Sequence, residues 1–257
     1  MNATGRSALI ICFSLLSAAC GRKGALIYPD MLVPASPAAV SGRQSGSAVK
    51  LQFVLPDKDM SGRPVKGVAG AKISRMASEA GHKDLCRSCL ADYLLLRTLN
   101  LDHLPTDTEL IGTLLVMLDV DVKAGNSYSY RIIPFTADGI EGAPASISDV
   151  HVVPPISGPY FKIESLPTEI RLQFAVQSPL SGRFLGYNLY RSPVAGTRSF
   201  QPLNRLPLTG NEFMDSGVER GMKYRYAARI LLELETGNIV ESLESAEAVG
   251  MLKDDDE

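Results

Sequence analysis

The sequence contains two diverged copies of one module, and this internal repeat constrains the fold more than any other feature. Residues 49–54 align with residues 170–175, and residues 70–75 align with residues 186–191. The other landmarks, in the same order, are Ser61-Gly62-Arg63 with Ser181-Gly182-Arg183, Leu118-Asp119 with Met214-Asp215, and residues 125–130 with 221–226. Because five landmarks rarely keep one order by chance, we expect two domains of the same architecture.

The repeated segments have the pattern of β-strands. Val49, Leu51 and Phe53 alternate with Lys50 and Gln52, and the second copy alternates in the same way. Such period-two alternation is typical of a strand with one buried and one polar face. Turns that contain glycine separate the runs. About seven short strands per copy at this spacing predict an all-β fold built from β-sandwiches.

One motif gives this prediction a family resemblance. Gly-x-x-Tyr-x-Tyr occurs at residues 125–130 and again at 221–226, and both copies resemble fibronectin type III domains. The resemblance implies tandem immunoglobulin-like sandwiches in which Tyr128 and Tyr224 form tyrosine corners, each hydroxyl bonding to backbone just upstream. That family usually carries a tryptophan on its second strand, whereas this chain has none. Phe53 and Phe174 stand in that register and are expected to take its place.

These patterns give the expected domain boundaries. The first fibronectin-like domain covers residues 37–153 and the second covers residues 157–252, with an acidic tail at 253–257. Paired prolines, Pro154 and Pro155, predict an extended and semi-rigid joint between them. Residues 20–36, rich in Pro, Ala and Ser, are expected to form a spacer that reaches on the order of 50 Å when fully extended.

The N-terminal residues predict the compartment. A short polar start precedes an apolar block of about ten residues, which is too short to cross a bilayer. The block ends in Leu16-Ser17-Ala18-Ala19-Cys20, which resembles the lipobox of bacterial lipoproteins. The resemblance implies a signal peptide at residues 1–19, a mature protein that begins at Cys20, and acyl chains such as palmitate on that residue. An ordinary secretory signal with an incidental cysteine is the alternative.

The residues after Cys20 add a second, shorter resemblance. Cys20-Gly21-Arg22-Lys23-Gly24-Ala25-Leu26 is similar to the start of LptM-type envelope lipoproteins, with Ala25 in place of the usual proline. Those proteins assist maturation of an outer-membrane translocon, so the resemblance implies an assembly role. Gly21 after the cysteine resembles a sorting signal for the outer membrane. We therefore expect a protein anchored in the cell envelope, in the outer membrane and facing the periplasm.

Net charge and hydropathy limit the classes of binding partner that we expect. The formal net charge is −2, so no nucleic-acid or other polyanion partner is expected. Beyond the leader, no run of 18 apolar residues occurs, so no further membrane span is expected. We find no catalytic Ser/His/Asp set and no Gly-rich phosphate loop, and we expect neither catalysis nor a cofactor. His151 near the end of the first domain is expected to be structural.

The first copy carries an insertion of about twenty residues in which chemistry could reside. It contains His82, Cys86, Cys89 and His103, with the spacing H-x3-C-x2-C-x13-H. In an oxidising compartment the paired thiols favour a local Cys86–Cys89 disulfide. Two thiolates with two imidazoles also form a ligand set for zinc, and a Cys-x-x-Cys pair can serve thiol redox chemistry. All three interpretations stay open, with the disulfide preferred.

Two hypotheses about function from different classes follow, with a third from the insertion. The leading one is a non-catalytic, lipid-anchored protein that serves adhesion, protein binding or scaffolding. The second is an assembly factor for an outer-membrane complex, and the third is an accessory protein that handles metal or redox chemistry through Cys86 and Cys89. Apolar residues at 93–96 and Leu99 are expected to form an edge strand, with an exposed binding surface as the alternative.

Overall fold

The structure is a computed structural model that describes residues 28–65, 67–79, 92–177 and 180–254. Its regular elements are fifteen β-strands and one 3-10 turn, Pro29–Met31. Within these residues no helix has the length and apolarity needed to cross a bilayer. The predicted all-β class, with two tandem β-sandwiches, is confirmed.

The first domain is built from eight strands. They are β1 Ala38–Ser45, β2 Ala48–Val54, β3 Val68–Ser78, β4 Leu94–Asn100, β5 Thr108–Ile111, β6 Leu114–Asp119, β7 Ser127–Thr136 and β8 Ala145–His151. One sheet has the order β1-β2-β6-β5, and the other has the order β4-β3-β7-β8. All pairings within both sheets are antiparallel.

The second domain repeats the plan with seven strands. They are β9 Tyr160–Ser165, β10 Ile170–Ala175, β11 Arg183–Pro193, β12 Glu212–Asp215, β13 Tyr224–Glu233, β14 Ile239–Glu241 and β15 Ala248–Gly250. One sheet has the order β12-β10-β9. In the other, β13 pairs with β11 on one side and with β14 and then β15 on the other.

Each domain encloses its own apolar core, as the alternation of the repeated strands predicts. Phe53 is fully buried in the first core and Phe174 is 3% exposed in the second, so both lie where the missing tryptophan was expected. Phe174 packs its ring at 4.3 Å from that of Tyr187. Sequestered apolar area of this kind is the main favourable term that holds a sandwich together.

The last residues of the expected spacer contact the first domain. The amide of Met60 donates to the carbonyl of Val33 at 3.1 Å, and the amide of Ala143 donates to the carbonyl of Pro34 at 2.8 Å. Pro34 also forms a β-bridge with Asp59. The chain is therefore bonded to the first domain several residues before β1 begins.

The two domains share a sheet. The edge strand β1 of the first domain pairs in parallel with β14 of the second, through Ser45 and Glu241. This pairing joins two sheets into one of eight strands that runs through both domains. The sequence repeat does not predict this pairing, because it aligns residues within each domain and carries no information on contacts between domains.

Candidate functional site at the domain interface

Each domain contains an Arg–Asp–Tyr cluster that ties its two sheets together. In the first domain, Asp119 at the end of β6 accepts from Arg75 Nη1 at 2.8 and 2.9 Å and from the Tyr130 hydroxyl at 2.9 Å. Arg75 and Tyr130 lie on β3 and β7 of the opposite sheet. The Asp119 carboxylate is thus hydrogen-bonded by two strands across the core.

The second domain repeats this cluster at the equivalent positions. Asp215 on β12 accepts from Arg191 Nη1 at 2.8 and 2.9 Å and from the Tyr226 hydroxyl at 2.8 Å. Even the backbone contact is repeated, since Arg191 donates to the carbonyl of Gly217 as Arg75 does to that of Asp121, both at 2.8 Å. The cluster therefore explains why three of the repeated landmarks carry polar residues.

Burial and neighbouring charges shift the pKa of three side chains in these clusters, Tyr130, Tyr226 and Arg75. Burial, reinforced by the neighbouring aspartate, raises the pKa of Tyr130 and of Tyr226 far above the ordinary value of 10.0. Burial alone would lower the pKa of Arg75, but the hydrogen bond and charge of Asp119 outweigh it and raise that pKa. The tyrosines stay neutral donors and the arginine stays charged at any physiological pH.

Tyr128 and Tyr224 lie at the start of β7 and β13. The Tyr128 hydroxyl accepts from the amide of Lys123 at 2.8 Å, and that of Tyr224 accepts from the amide of Glu219 at 3.2 Å. Both donors lie five residues upstream, which is the geometry of a tyrosine corner.

The domain interface is centred on Glu241. Its Oε2 accepts from Lys50 Nζ at 2.8 Å and from the Ser45 hydroxyl at 2.6 Å, both in the first domain. Its Oε1 accepts from the Tyr190 hydroxyl at 2.9 Å and from Asn188 Nδ2 at 2.6 Å, both in the second. The carboxylate thus uses four acceptor positions and draws donors from both domains.

Solvent is excluded from this interface network. The side chains of Lys50 and Glu241 are 2% and 0% exposed. Burial alone would raise the pKa of Glu241, but the Lys50 charge and the hydrogen bonds from Lys50 and Ser45 lower it to about 2. Burial lowers the pKa of Lys50, against the opposing effect of Glu241. A buried pair of this kind requires its hydrogen bonds to be satisfied, and the four donors meet that requirement.

A glycine lies beside this network, where the β1–β2 turn of the first domain meets the backbone of Glu241 in the second. Gly46, in the turn between β1 and β2, has φ +61° and donates its amide to the carbonyl of Glu241 at 3.0 Å. A Cβ atom at this position would lie 2.8 Å from Nη1 of Arg229. The left-handed backbone conformation therefore favours glycine here, and a side chain would also displace the end of Arg229.

Further contacts extend the interface to both sides of the network. Glu109 on β5 accepts from the amide of Phe200 at 2.7 Å and from the Ser199 hydroxyl at 3.1 Å. At the start of the linker, the carbonyl of Val153 accepts from the side chain of Gln44 on β1, and its amide donates to the same side chain, each at 2.8 Å. The proline-containing linker is thus fastened at its start to the first domain.

A cavity of about 220 Å³ opens beside the shared sheet, between Leu118 of the first domain and Tyr190 and Phe200 of the second. Its rim is charged, because Arg229 pairs with Glu244 at 3.1 Å and Arg225 pairs with Glu247 at 3.5 Å. Arg198, which also lines the cavity, pairs with the same two glutamates, so three arginines share two carboxylates at this rim.

Most residues singled out for chemistry lie outside the described part of the chain. These are the lipidation candidate Cys20, and His82, Cys86 and Cys89 of the insertion. His103 is described, is exposed, and donates its amide to the carbonyl of Asn100 at 3.1 Å. Over the described ranges, no group of three or more His, Cys, Asp or Glu side chains is placed to hold a metal ion. The disulfide, metal and redox interpretations therefore stay predictions.

The other two candidates are described. His151 lies on β8 with its Nδ1 at 3.3 Å from the Ser127 hydroxyl. The apolar run that follows the insertion forms β4, which lies at the edge of its sheet. Leu99 is fully buried, whereas Leu94 and Leu95 are 74% and 62% exposed. One end of this strand thus packs on the core and the other presents apolar side chains to solvent.

Comparison with known proteins adds little to this geometry. No protein-family model matches the chain, and no curated protein matches it. Among solved structures, the chain is similar to the crystal structure of chicken CNTN1 FN1-FN3 domains, with 10% identity over 85% of this chain and 68% of that one. The TM-score of that superposition is 0.29.

Sequence reasoning missed the interface residues. Lys50 occupies a polar position of an alternating strand and is predicted to face solvent, yet the second domain covers it. Glu241 carries no motif at all. The Arg–Asp–Tyr clusters, by contrast, lie within each domain, and Arg75, Asp119 and Tyr130 all occur among the repeated landmarks.

Proposed function

We propose that this chain is a non-catalytic, lipid-anchored protein of the cell envelope whose two domains form one stiff, protein-binding scaffold. The observation that carries the proposal is the shared eight-stranded sheet, fastened by the buried Lys50–Glu241 pair. A scaffold benefits from such an interface, because fixing the relative position of two binding surfaces in advance lowers the entropy lost when a partner binds both.

The anchor in this proposal rests on sequence. Residues 16–20 resemble a lipobox, and Cys20 is the residue that would carry the acyl chains. Gly21 favours the outer membrane, with the protein facing the periplasm. More than one acyl chain gives stable attachment, whereas a single chain gives marginal attachment.

A capture experiment tests the proposal. The full chain is expressed in a bacterial envelope, crosslinked in place and purified, and its partners and the mass of its Cys20 peptide are determined by mass spectrometry. We expect an acylated Cys20 and one reproducible protein partner. The Cys20→Ser variant should leave the membrane fraction. Absence of acylation, or of any reproducible partner, would overturn the proposal.

Two matched variants separate the alternatives. Cys86→Ser/Cys89→Ser should keep the partner if the protein is a scaffold, whereas loss of the partner with the fold retained supports the metal or redox hypothesis. Glu241→Gln should weaken capture if the partner contacts both domains, because it loosens their fixed orientation. Exposed Glu235→Gln serves as the control and should capture as the wild type does.

The assembly-factor alternative has its own observation, the LptM-like residues 20–26. If these residues carry the function, they should rescue a deletion strain when fused to an unrelated periplasmic protein. If the two-domain scaffold carries it, the fusion should fail and the full chain should succeed.

A further inference from the structure

One end of the first domain exposes a set of large apolar side chains. They are Tyr28 at 57%, Leu32 at 49%, Met60 at 52%, Ile111 at 43% and Ile140 at 49% exposure. Single exposed apolar residues are common on soluble proteins. These five, however, come from the four chain segments that meet at one end of the domain, which we name the tether end.

Backbone hydrogen bonds bring these segments together. The segment at 28–34 bonds to the β2–β3 loop through Met60 and to the β7–β8 turn through Ala143. The β5–β6 turn joins the same end, because the amide of Leu55 donates to the carbonyl of Thr113 at 2.9 Å. The exposed side chains thus project from loops held at the same end of the sandwich.

The chain that leads to Cys20 leaves from this end. Tyr28 lies eight positions after Cys20, and eight fully extended residue steps span about 28 Å at most. Because residues 31–35 are bonded to the domain, they cannot lengthen the tether. An acyl chain on Cys20 would therefore keep the tether end within roughly one domain length of the bilayer.

The charges of the tether end bear on whether electrostatic attraction or apolar insertion would bind it to a membrane. Its exposed acidic side chains are Asp30, Asp57 and Asp138, against the basic Lys58 and Arg63, while Lys72 and Glu141 pair with each other at 2.7 Å. Acidic groups thus outnumber the unpaired basic groups that the structure describes here. The described charges of this end nearly balance, so the force we invoke there is insertion of apolar side chains.

We propose that the tether end is a membrane-contact surface, with its apolar side chains inserted at the boundary between headgroups and acyl chains. This inference rests on the proposed lipid anchor and deepens it. The anchor keeps the surface near the bilayer, and the apolar side chains orient the first domain upon it. The second domain, attached at the other end of β1, then points away from the membrane.

Tryptophan fluorescence tests this surface directly, because the sequence contains no tryptophan. Leu32→Trp and Ile140→Trp place a probe at the tether end. Val120→Trp is the control, since Val120 is 58% exposed and lies at the opposite end of β6 from Ile111. Each full-length, acylated variant is reconstituted into zwitterionic vesicles with and without brominated acyl chains.

We expect the probes at 32 and 140 to shift to shorter wavelength and to lose at least half of their emission to the brominated lipid. The probe at 120 should do neither, and the result should not change with salt. Tether-end probes that behave like the control overturn the inference. A shift that requires anionic lipid and disappears in salt also overturns it, and so does a shift that requires an added envelope protein.

Acylation of Cys20 is measured on the same samples, so that failure of the proposed lipid anchor can be distinguished from failure of the membrane-contact surface. The mass of the Cys20 peptide and flotation with vesicles report acylation. Acylated protein that floats with unshifted probes contradicts the membrane-contact surface alone. Protein without acyl chains contradicts the proposed function.

Discussion

Lys50 of the first domain and Glu241 of the second form an ion pair with 2.8 Å between Nζ and Oε2, and neither side chain has more than 2% exposure. Each residue supplies the counter-charge of the other at a site that is shielded from solvent. Neither domain alone offers both partners. The pair therefore makes the stability of the interface depend on both domains being folded and in register.

Removing one member of this pair should be costly. Glu241→Gln leaves the Lys50 ammonium buried without its counter-charge, so we expect a loss of about 3–5 kcal/mol in the free energy of unfolding. The double variant Lys50→Met/Glu241→Gln should recover part of that loss. Urea unfolding of both variants measures the effect. A single-variant loss below about 1 kcal/mol would show that the pair is hydrated and the interface loose.

Acid should weaken the interface. The pKa of Glu241 is lowered to about 2 in the fold, from an ordinary value of 4.5, so its contribution is present above about pH 4.5 and is lost as the pH falls towards 2. That shift corresponds to about 3 kcal/mol. We expect the melting temperature to fall over this range more steeply for the wild type than for Glu241→Gln. Parallel curves would contradict the assignment.

The repeated Arg–Asp–Tyr clusters should contribute similarly to both domains. Tyr130→Phe and Tyr226→Phe each remove a hydroxyl that donates to a buried carboxylate, so each should lower the free energy of unfolding by about 2 kcal/mol. Tyr160→Phe is the control, because Tyr160 is 65% exposed; it should stay within about 0.5 kcal/mol of wild type. Thermal unfolding checks all three. An effect confined to one domain would mean that the repeated cluster has lost its role in the other.

The insertion gives a prediction about oxidation. If Cys86 and Cys89 form the expected disulfide, the protein from the envelope should gain two mass units on reduction and react with a thiol reagent only afterwards. Because the ring that they close is small, Cys86→Ser/Cys89→Ser should lower stability only modestly. Free thiols in the untreated protein would favour the metal or redox hypothesis, and metal analysis would then decide between them.

The sequence predicts the strands and core residues of each domain but gives little information on the contacts between the domains. Alternation at residues 49–54 predicts a strand and identifies Phe53 as core, because the physics of a strand repeats every two residues. The same alternation assigns Lys50 to solvent. That assignment is wrong, since Tyr190 and Glu241 of the second domain cover Lys50, and no local pattern records such a neighbour.

The Arg–Asp–Tyr clusters were predictable in part from the sequence. Arg75, Asp119 and Tyr130 are all visible as repeated positions, yet they are separated by 44 and 11 residues along the chain. Repetition indicates that each position matters, whereas only the folded strands show that the three side chains meet. The exposed set at the tether end is likewise scattered over four segments that only the fold brings together.

The central claim is that the two domains form one rigid body, and residual dipolar couplings test it most directly. Backbone couplings are measured on the full chain carrying Cys20→Ser, weakly aligned in solution. A rigid interface predicts that one alignment tensor fits the couplings of both domains in the orientation set by β1 and β14. Two tensors of different magnitude, one for each domain, would show that the domains move independently and would contradict the account.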